Sequence, residues 1–231
     1  MKTIGLIGGM SWESSIEYYR IINETAKLRL GGLHSAKSIM VSVDFAEVET
    51  LQRLGNWPEA ADLMIGAAKS LESGGADFIV LCTNTMHKVA DDIKSHTNIP
   101  LLHIADATAQ QIKAAGIGRI GLLGTRFTME EAFYKDRLTQ NYGLEVLIPN
   151  DQEREIVHRV IYDELVVGKI LPTSKELYKD IIDRLIEAGA EGVILGCTEI
   201  GLLIHAEDCK VPLFDTTRIH AMAALEYALA E

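Results

Sequence analysis

The sequence predicts an α/β protein built as two lobes related by a pseudo-two-fold, each a parallel sheet flanked by helices, with the active site in the cleft between them. Three observations carry that reading. Strand-like runs alternate with helical patterns along the chain, which implies parallel sheets wound by right-handed crossovers. One run is written twice: Gly75-Ala76-Asp77-Phe78-Ile79-Val80-Leu81-Cys82-Thr83-Asn84-Thr85 aligns without gaps to Gly189-Ala190-Glu191-Gly192-Val193-Ile194-Leu195-Gly196-Cys197-Thr198-Glu199, 114 residues further on. Shorter echoes accompany it, Thr3 to Gly9 returning as Arg119 to Thr125, and Ile99-Pro100-Leu101-Leu102 as Val211-Pro212-Leu213-Phe214. Two copies at so long a period are not a solenoid. The expected lobes are 1–97 with 208–231, and 98–207, so that the final strand and helix complete the first lobe.

Residues 2–8 read as a strand ending at Gly8-Gly9-Met10. Ser11 is placed to cap the next helix, with Glu13 in its first turn. Ile16, Tyr19, Ile22, Ala26 and Leu30 continue that helix, and Gly31-Gly32 stops it. Lys37 to Val43 is the second strand; Asn56 and Pro58 open a helix reaching Ser73. The first copy of the repeat gives a buried strand, followed by a helix from Thr85 to Lys94. Pro100 begins a strand, and residues 105–115 a helix. After the strand at 119–125, Thr128 with Glu131 has the pattern of a capping box, as does Thr173 with Glu176. Between them lie a strand near 144–148 and a helix from Asp151 to Val167. The Cys197 strand, Val211 to Phe214 and a last amphipathic helix complete the chain.

At 231 residues, 48% hydrophobic and 24% charged, the chain has the composition of a globular protein with a large core. A net charge of −11 argues against nucleic acid or an anionic membrane surface as a partner. No apolar stretch approaches the ~18–20 residues that span a bilayer, and the opening Met-Lys-Thr-Ile-Gly-Leu-Ile-Gly-Gly is not a signal peptide. Three cysteines, Cys82, Cys197 and Cys209, have no metal-type spacing, so free thiols in the cytoplasm are expected. The seven histidines include no H-x-x-x-H pair, and no metal site is expected.

Ligands bind beyond the carboxyl ends of strands in open α/β sheets, which is where the two repeat copies end. Cys197, after Gly196 and before two polar residues, is expected at a helix N-terminus, where a thiol's pKa falls below about 8.5. The alternative is a buried structural cysteine. Thr83-Asn84-Thr85 offers hydroxyls, an amide and backbone N–H groups to a carboxylate, or else is a plain N-cap cluster. Cys82 alternates to the opposite side from Thr83 and reads as core. Gly5, Gly8 and Gly9 do not match G-x-G-x-x-G, so the first turn is read as backbone approaching a small anion, not as a dinucleotide site. Lys169, Arg53 and Arg126 are candidate counter-ions for a carboxylate, or solvated surface.

Gly8-Gly9-Met10-Ser11-Trp12-Glu13, Asn84-Thr85-Met86-His87 and Gly196-Cys197-Thr198-Glu199, three motifs in order over the whole chain, resemble the aspartate/glutamate racemase family, which works without pyridoxal phosphate. The resemblance implies two acid/base residues on opposite sides of the α-carbon of a small amino-acid substrate, with no cofactor. It also brings the expectation of a homodimer. Carried over by position, Cys197 and Thr83 hold the acid/base places; Thr83 stands where the family has its first cysteine, as in its L-aspartate/glutamate-specific variant. Met10, Asn84, Thr85, Thr125, Thr198 and Glu199 fall on the substrate-binding turns, and Gln52 and Lys169 near the places for the distal carboxylate. A hydroxyl is a far weaker acid than a thiol, so fast exchange on the L-isomer through Cys197 and slow handling of the D-face by Thr83 are expected. Two rival readings stay open: an arylmalonate-type decarboxylase with a single cysteine, and a non-catalytic binding protein for acidic amino acids.

Overall fold

The computed structural model describes residues 1–230. It divides into two compact units, 1–103 with 220 onward, and 104–219. Each contains one four-stranded parallel sheet.

In the first unit, β1 (Ile4–Gly8) leads into α1 (Trp12–Leu30), then β2 (Ser38–Ser42), α2 (Phe45–Leu54), α3 (Trp57–Ser73), β3 (Phe78–Leu81), a 3₁₀ turn at Thr85–Val89, α4 (Ala90–Ser95) and β4 (Leu101–Leu102). The sheet order is β2-β1-β3-β4, which puts β1 and β3 at the centre. Both central strands are buried throughout, as their apolar runs require, each branched side chain contributing about 1.5–3 kcal/mol relative to exposure. Alternation sorts the side chains: Phe78, Val80 and Cys82 join the core under Tyr18, Ile21 and Ile22 of α1, while Ile79 and Leu81 join the core under α3. Cys82 is therefore a core residue, as its place in the strand predicted.

The second unit contains α5 (Ile104–Ala114), β5 (Arg119–Gly124), α6 (Arg126–Glu130), α7 (Ala132–Tyr142), β6 (Glu145–Leu147) and α8 (Asp151–Asp163). A 3₁₀ turn at Leu165–Val167, α9 (Pro172–Glu187), β7 (Val193–Gly196), α10 (Ile200–Leu203) and β8 (Leu213–Asp215) follow. Its sheet order, β6-β5-β7-β8, repeats that of the first. The ladders agree residue for residue: Gly5 pairs with Ile79 and Ile7 with Leu81, as Gly121 pairs with Val193 and Leu123 with Leu195. The last helix, α11 (Thr216–Leu229), begins in this unit and ends in the first, where Ala221, Ala224 and Ala228 pack on the α1 side of the sheet.

Several details differ from the sequence reading. β4 pairs with β3, and β8 pairs with β7, so each sheet keeps its own last strand and the exchange of chain occurs afterwards, in the helices. The expected boundaries at 97/98 and 207/208 had placed both strands in the opposite lobe. The helix α2 was not anticipated; Asp44 caps it by accepting from Ala46 N–H, and Gly55 in the left-handed region ends it. Ser11 holds the N-cap position of α1, but its side chain makes no capping bond. Thr128, expected to cap the helix over Ala132, Tyr134 and Leu138, lies instead inside α6, which Thr125 caps as the first polar residue beyond the strand; Glu131 holds the N-cap position of α7 without a side-chain capping bond. Pro172 takes the first position of α9, where its missing N–H costs nothing, so Thr173 lies inside that helix. A capping box does form at α8, between Asn150 and Glu153.

Candidate active site

In the first unit the site residues cluster at the carboxyl ends of β1 and β3. Cys82 N–H makes the last bond to β1, donating to Ile7 O, and Thr83 N–H folds back to Leu81 O at 2.8 Å. Thr83, Asn84 and Thr85 are buried but polar, the combination expected where a strand yields to a binding turn. His87, one turn along, lies against this segment, its Nδ1 2.7 Å from Thr83 O. On the neighbouring strand, Gly9 has a φ of +95° and leaves no room for a Cβ against Val43. Ser15 Oγ accepts from Gly9 N–H at 2.8 Å and donates to Ser11 O at 2.8 Å, which fixes the turn carrying buried Met10. Gln52, at the end of α2, is buried, with Nε2 3.1 Å from Met86 Sδ. Its neighbour Arg53 is exposed and pairs with Glu49 at 3.4 Å.

In the second unit the site residues stand at the ends of β5 and β7. Gly124 pairs with Gly196, so Thr125 and Cys197 leave adjacent strand ends side by side. A Cβ on Gly196 would lie 2.6 Å from Leu123 O, which explains a glycine where the first unit has Cys82. Cys197, Thr198 and Glu199 are all buried. The Cys197 thiol donates to Glu199 Oε2 at 3.0 Å, and Thr198 Oγ1 donates to the same oxygen at 2.8 Å. Two hydroxyls at the start of α11 brace this turn: Thr216 Oγ1 donates to Leu195 O at 2.8 Å, and Thr217 Oγ1 to Thr198 O at 3.3 Å.

The thiol is not acidified as the sequence suggested. Burial raises the Cys197 pKa well above its ordinary value, the Glu199 carboxylate adds to the rise, and the backbone N–H groups of Glu199 and Ile200 only partly oppose it. The helix that was to lower it, α10, is a single turn of four residues, too short for an appreciable dipole. Burial thus favours the neutral thiol, hydrogen-bonded to Glu199 Oε2.

The predicted carboxylate cations fare differently. Lys169 is exposed beyond Gly168, whose φ of +72° ends the 3₁₀ turn, and its N–H donates to Glu164 O. Arg126 is exposed, its backbone N–H donating to His158 Nδ1 at 3.2 Å; burial and Arg126 together lower the His158 pKa. Among the described residues no group of three or more His, Cys, Asp and Glu is placed to hold a metal ion, and no helix is long and apolar enough to cross a membrane. The sequence reading missed His87 as a support of Thr83, although its spacing of four residues was a signal. It also missed Thr216 and Thr217, for which no local signal exists.

A profile of the Asp/Glu/hydantoin racemase family matches residues 7–224. The chain belongs to that family. A protein from Yersinia pestis, provisionally named an Asp/Glu racemase, has a crystal structure 60% identical to this racemase over all of both chains, with a TM-score of 0.92. The crystal structure of an aspartate racemase homologue from Pyrococcus horikoshii is 38% identical over all of both chains, with a TM-score of 0.85. The broad specificity amino-acid racemase RacX of Bacillus subtilis is 27% identical over 172 residues, 74% of each chain. The enzyme is thus an isomerase of the racemase type, and the two-sheet architecture is that of its family.

Proposed function

We propose that this enzyme racemises acidic amino acids, aspartate and glutamate, preferring the L-isomer and using no cofactor, with Cys197 and Thr83 as its acid/base pair. The observation that carries the proposal is the shared register of the two sheets, which makes Thr83 and Cys197 equivalent positions just beyond the central strands. Racemisation requires one group on each face of the α-carbon, and a repeated fold supplies two such places. The family description and the names of the Yersinia and Pyrococcus relatives support acidic substrates. The family match also favours a racemase over a decarboxylase or a binding protein.

In the proposed sequence the Cys197 proton passes to Glu199 Oε2, its hydrogen-bond partner. The positive ammonium of the bound substrate offsets the thiolate that forms. The thiolate then takes the α-proton of the L-isomer, and the electron pair left on carbon spreads into the carboxylate, held by the N–H and hydroxyl groups of the Asn84-Thr85 and Thr198 turns. The Thr83 hydroxyl delivers a proton to the other face; water returns a proton to Thr83, and the hydroxide this leaves is neutralised by the proton held on Glu199, which restores the carboxylate. Gln52 and Lys169 are the proposed contacts for the distal carboxylate. Because enantiomers are equal in free energy, a preference for the L-isomer shows as α-proton exchange faster than net inversion.

Proton NMR of L- and D-glutamate with the enzyme in D₂O tests this. Loss of the L α-proton signal, lowered by about 10³-fold in Cys197→Ala, is the expected result. Undiminished exchange in that variant removes Cys197 from the mechanism.

A further inference from the structure

Behind the Thr83 turn lies a buried aromatic cluster that the mechanism does not use. His87, His103 and His220 come from three distant segments of the first unit, with ring centroids of His87 4.4 Å from His103 and 5.9 Å from His220. All three are buried. The protonation of two of them follows from their partners. His220 Nε2 lies 2.9 Å from Leu102 O, which only accepts, so Nε2 carries the hydrogen. Its Nδ1 is left to accept from Tyr18 Oη at 2.9 Å, and the ring is neutral, its pKa lowered to about 4 by burial. His87 Nδ1 faces Thr83 O at 2.7 Å, so there the hydrogen is on Nδ1.

That second bond meets a specific need. Thr83 N–H turns back to Leu81 O, and the strand pairing of β3 with β1 ends at Leu81, so the Thr83 carbonyl lies beyond the ladder in a buried turn. The peptide it belongs to also carries the Asn84 N–H. Fixing that one peptide plane sets both the direction of the Thr83 side chain and the aim of the Asn84 amide.

We propose that His87 is a positioning residue for the D-face of the reaction: its Nδ1–H holds the Thr83 carbonyl, packed in place by the rings of His103 and His220. This rests on the assignment of Thr83 to the D-face. His87→Leu removes the donor, whereas His87→Asn keeps an N–H close to the position of Nδ1. In D₂O exchange, His87→Leu lowers kcat on D-glutamate by about tenfold or more, the scale at which a misplaced group is felt. Its kcat on L-glutamate stays near the parent value, and KM rises for both isomers, since the Asn84 amide serves both. His87→Asn restores most of the D-side rate. Equal losses on both isomers, or an Asn variant no better than Leu, overturn the proposal. If neither variant folds, long-range ¹⁵N–¹H NMR of the parent enzyme decides: the His87 ring must show its hydrogen on Nδ1, and an Nε2 tautomer overturns the proposal directly. Thr83→Ala with unchanged D-side exchange would instead count against the assignment of Thr83, leaving the tautomer result standing.

Discussion

The Thr83 turn and the Cys197 turn end equivalent strands in sheets of the same order and register, and each residue is 7% exposed. Their chemistry diverges in two paired substitutions. Where the second turn has a thiol with a carboxylate two residues on, Cys197 with Glu199, the first has two hydroxyls, Thr83 with Thr85. The main-chain support diverges as well. Ile200 N–H donates to Cys197 O at 3.1 Å, whereas the Thr83 carbonyl is held by the side chain of His87. A duplicated backbone thus keeps two equivalent turns, while the side chains decide how acidic each turn is.

The largest change to that comparison comes from making the turns alike. Thr83→Cys supplies a thiol on the first turn, and D-glutamate exchange is expected to rise by about 10²-fold, the lower range for a positioned acid/base group. The gain stays below the L-side rate, because Thr85 offers no base where Cys197 has Glu199. Unchanged D-side exchange would take Thr83 out of the mechanism.

Glu199→Gln sharpens the other side. Removing the carboxylate charge removes one cause of the raised Cys197 pKa, so the thiol ionises at lower pH. Alkylation by iodoacetamide at neutral pH, which needs the thiolate, then speeds up by about tenfold. L-glutamate exchange should nevertheless slow by about tenfold, because the thiol proton has lost its acceptor. Faster alkylation together with faster exchange would show that Glu199 only burdens the thiol.

The last effect is on stability and belongs to the first unit. An unfolded histidine takes up a proton below about 6.5, while His220 in the folded chain resists until about 4. Between those values the unfolded state binds more protons, so stability falls as pH falls, by on the order of 3 kcal/mol at the acid end. Urea titrations across that window should show a shallower loss for His220→Gln. Equal slopes in the two proteins would place the acid sensitivity elsewhere.

Much of this was legible in the sequence because it is local. The gap-free repeat at 114 residues fixed which positions are equivalent, and the ladders carry the same correspondence. Strand alternation alone sent Cys82 into the core and left Thr83 on the other side, since successive side chains in a strand point to opposite faces. The motifs that carried the family resemblance were legible for the same reason. The tertiary structure decided what depends on distant partners. Which strand closes each sheet is a matter of pairing between segments, and Leu213 pairs with Val193, just as Leu101 pairs with Ile79. The state of Cys197 followed from burial and from the Glu199 rotamer, neither of which its neighbours in sequence specify. The histidines behind Thr83 meet from positions 87, 103 and 220, and the hydroxyls of Thr216 and Thr217 reach back to the Cys197 strand. Hydrogen bonds and desolvation act over a few ångströms of space, and only folding brings those residues within that range.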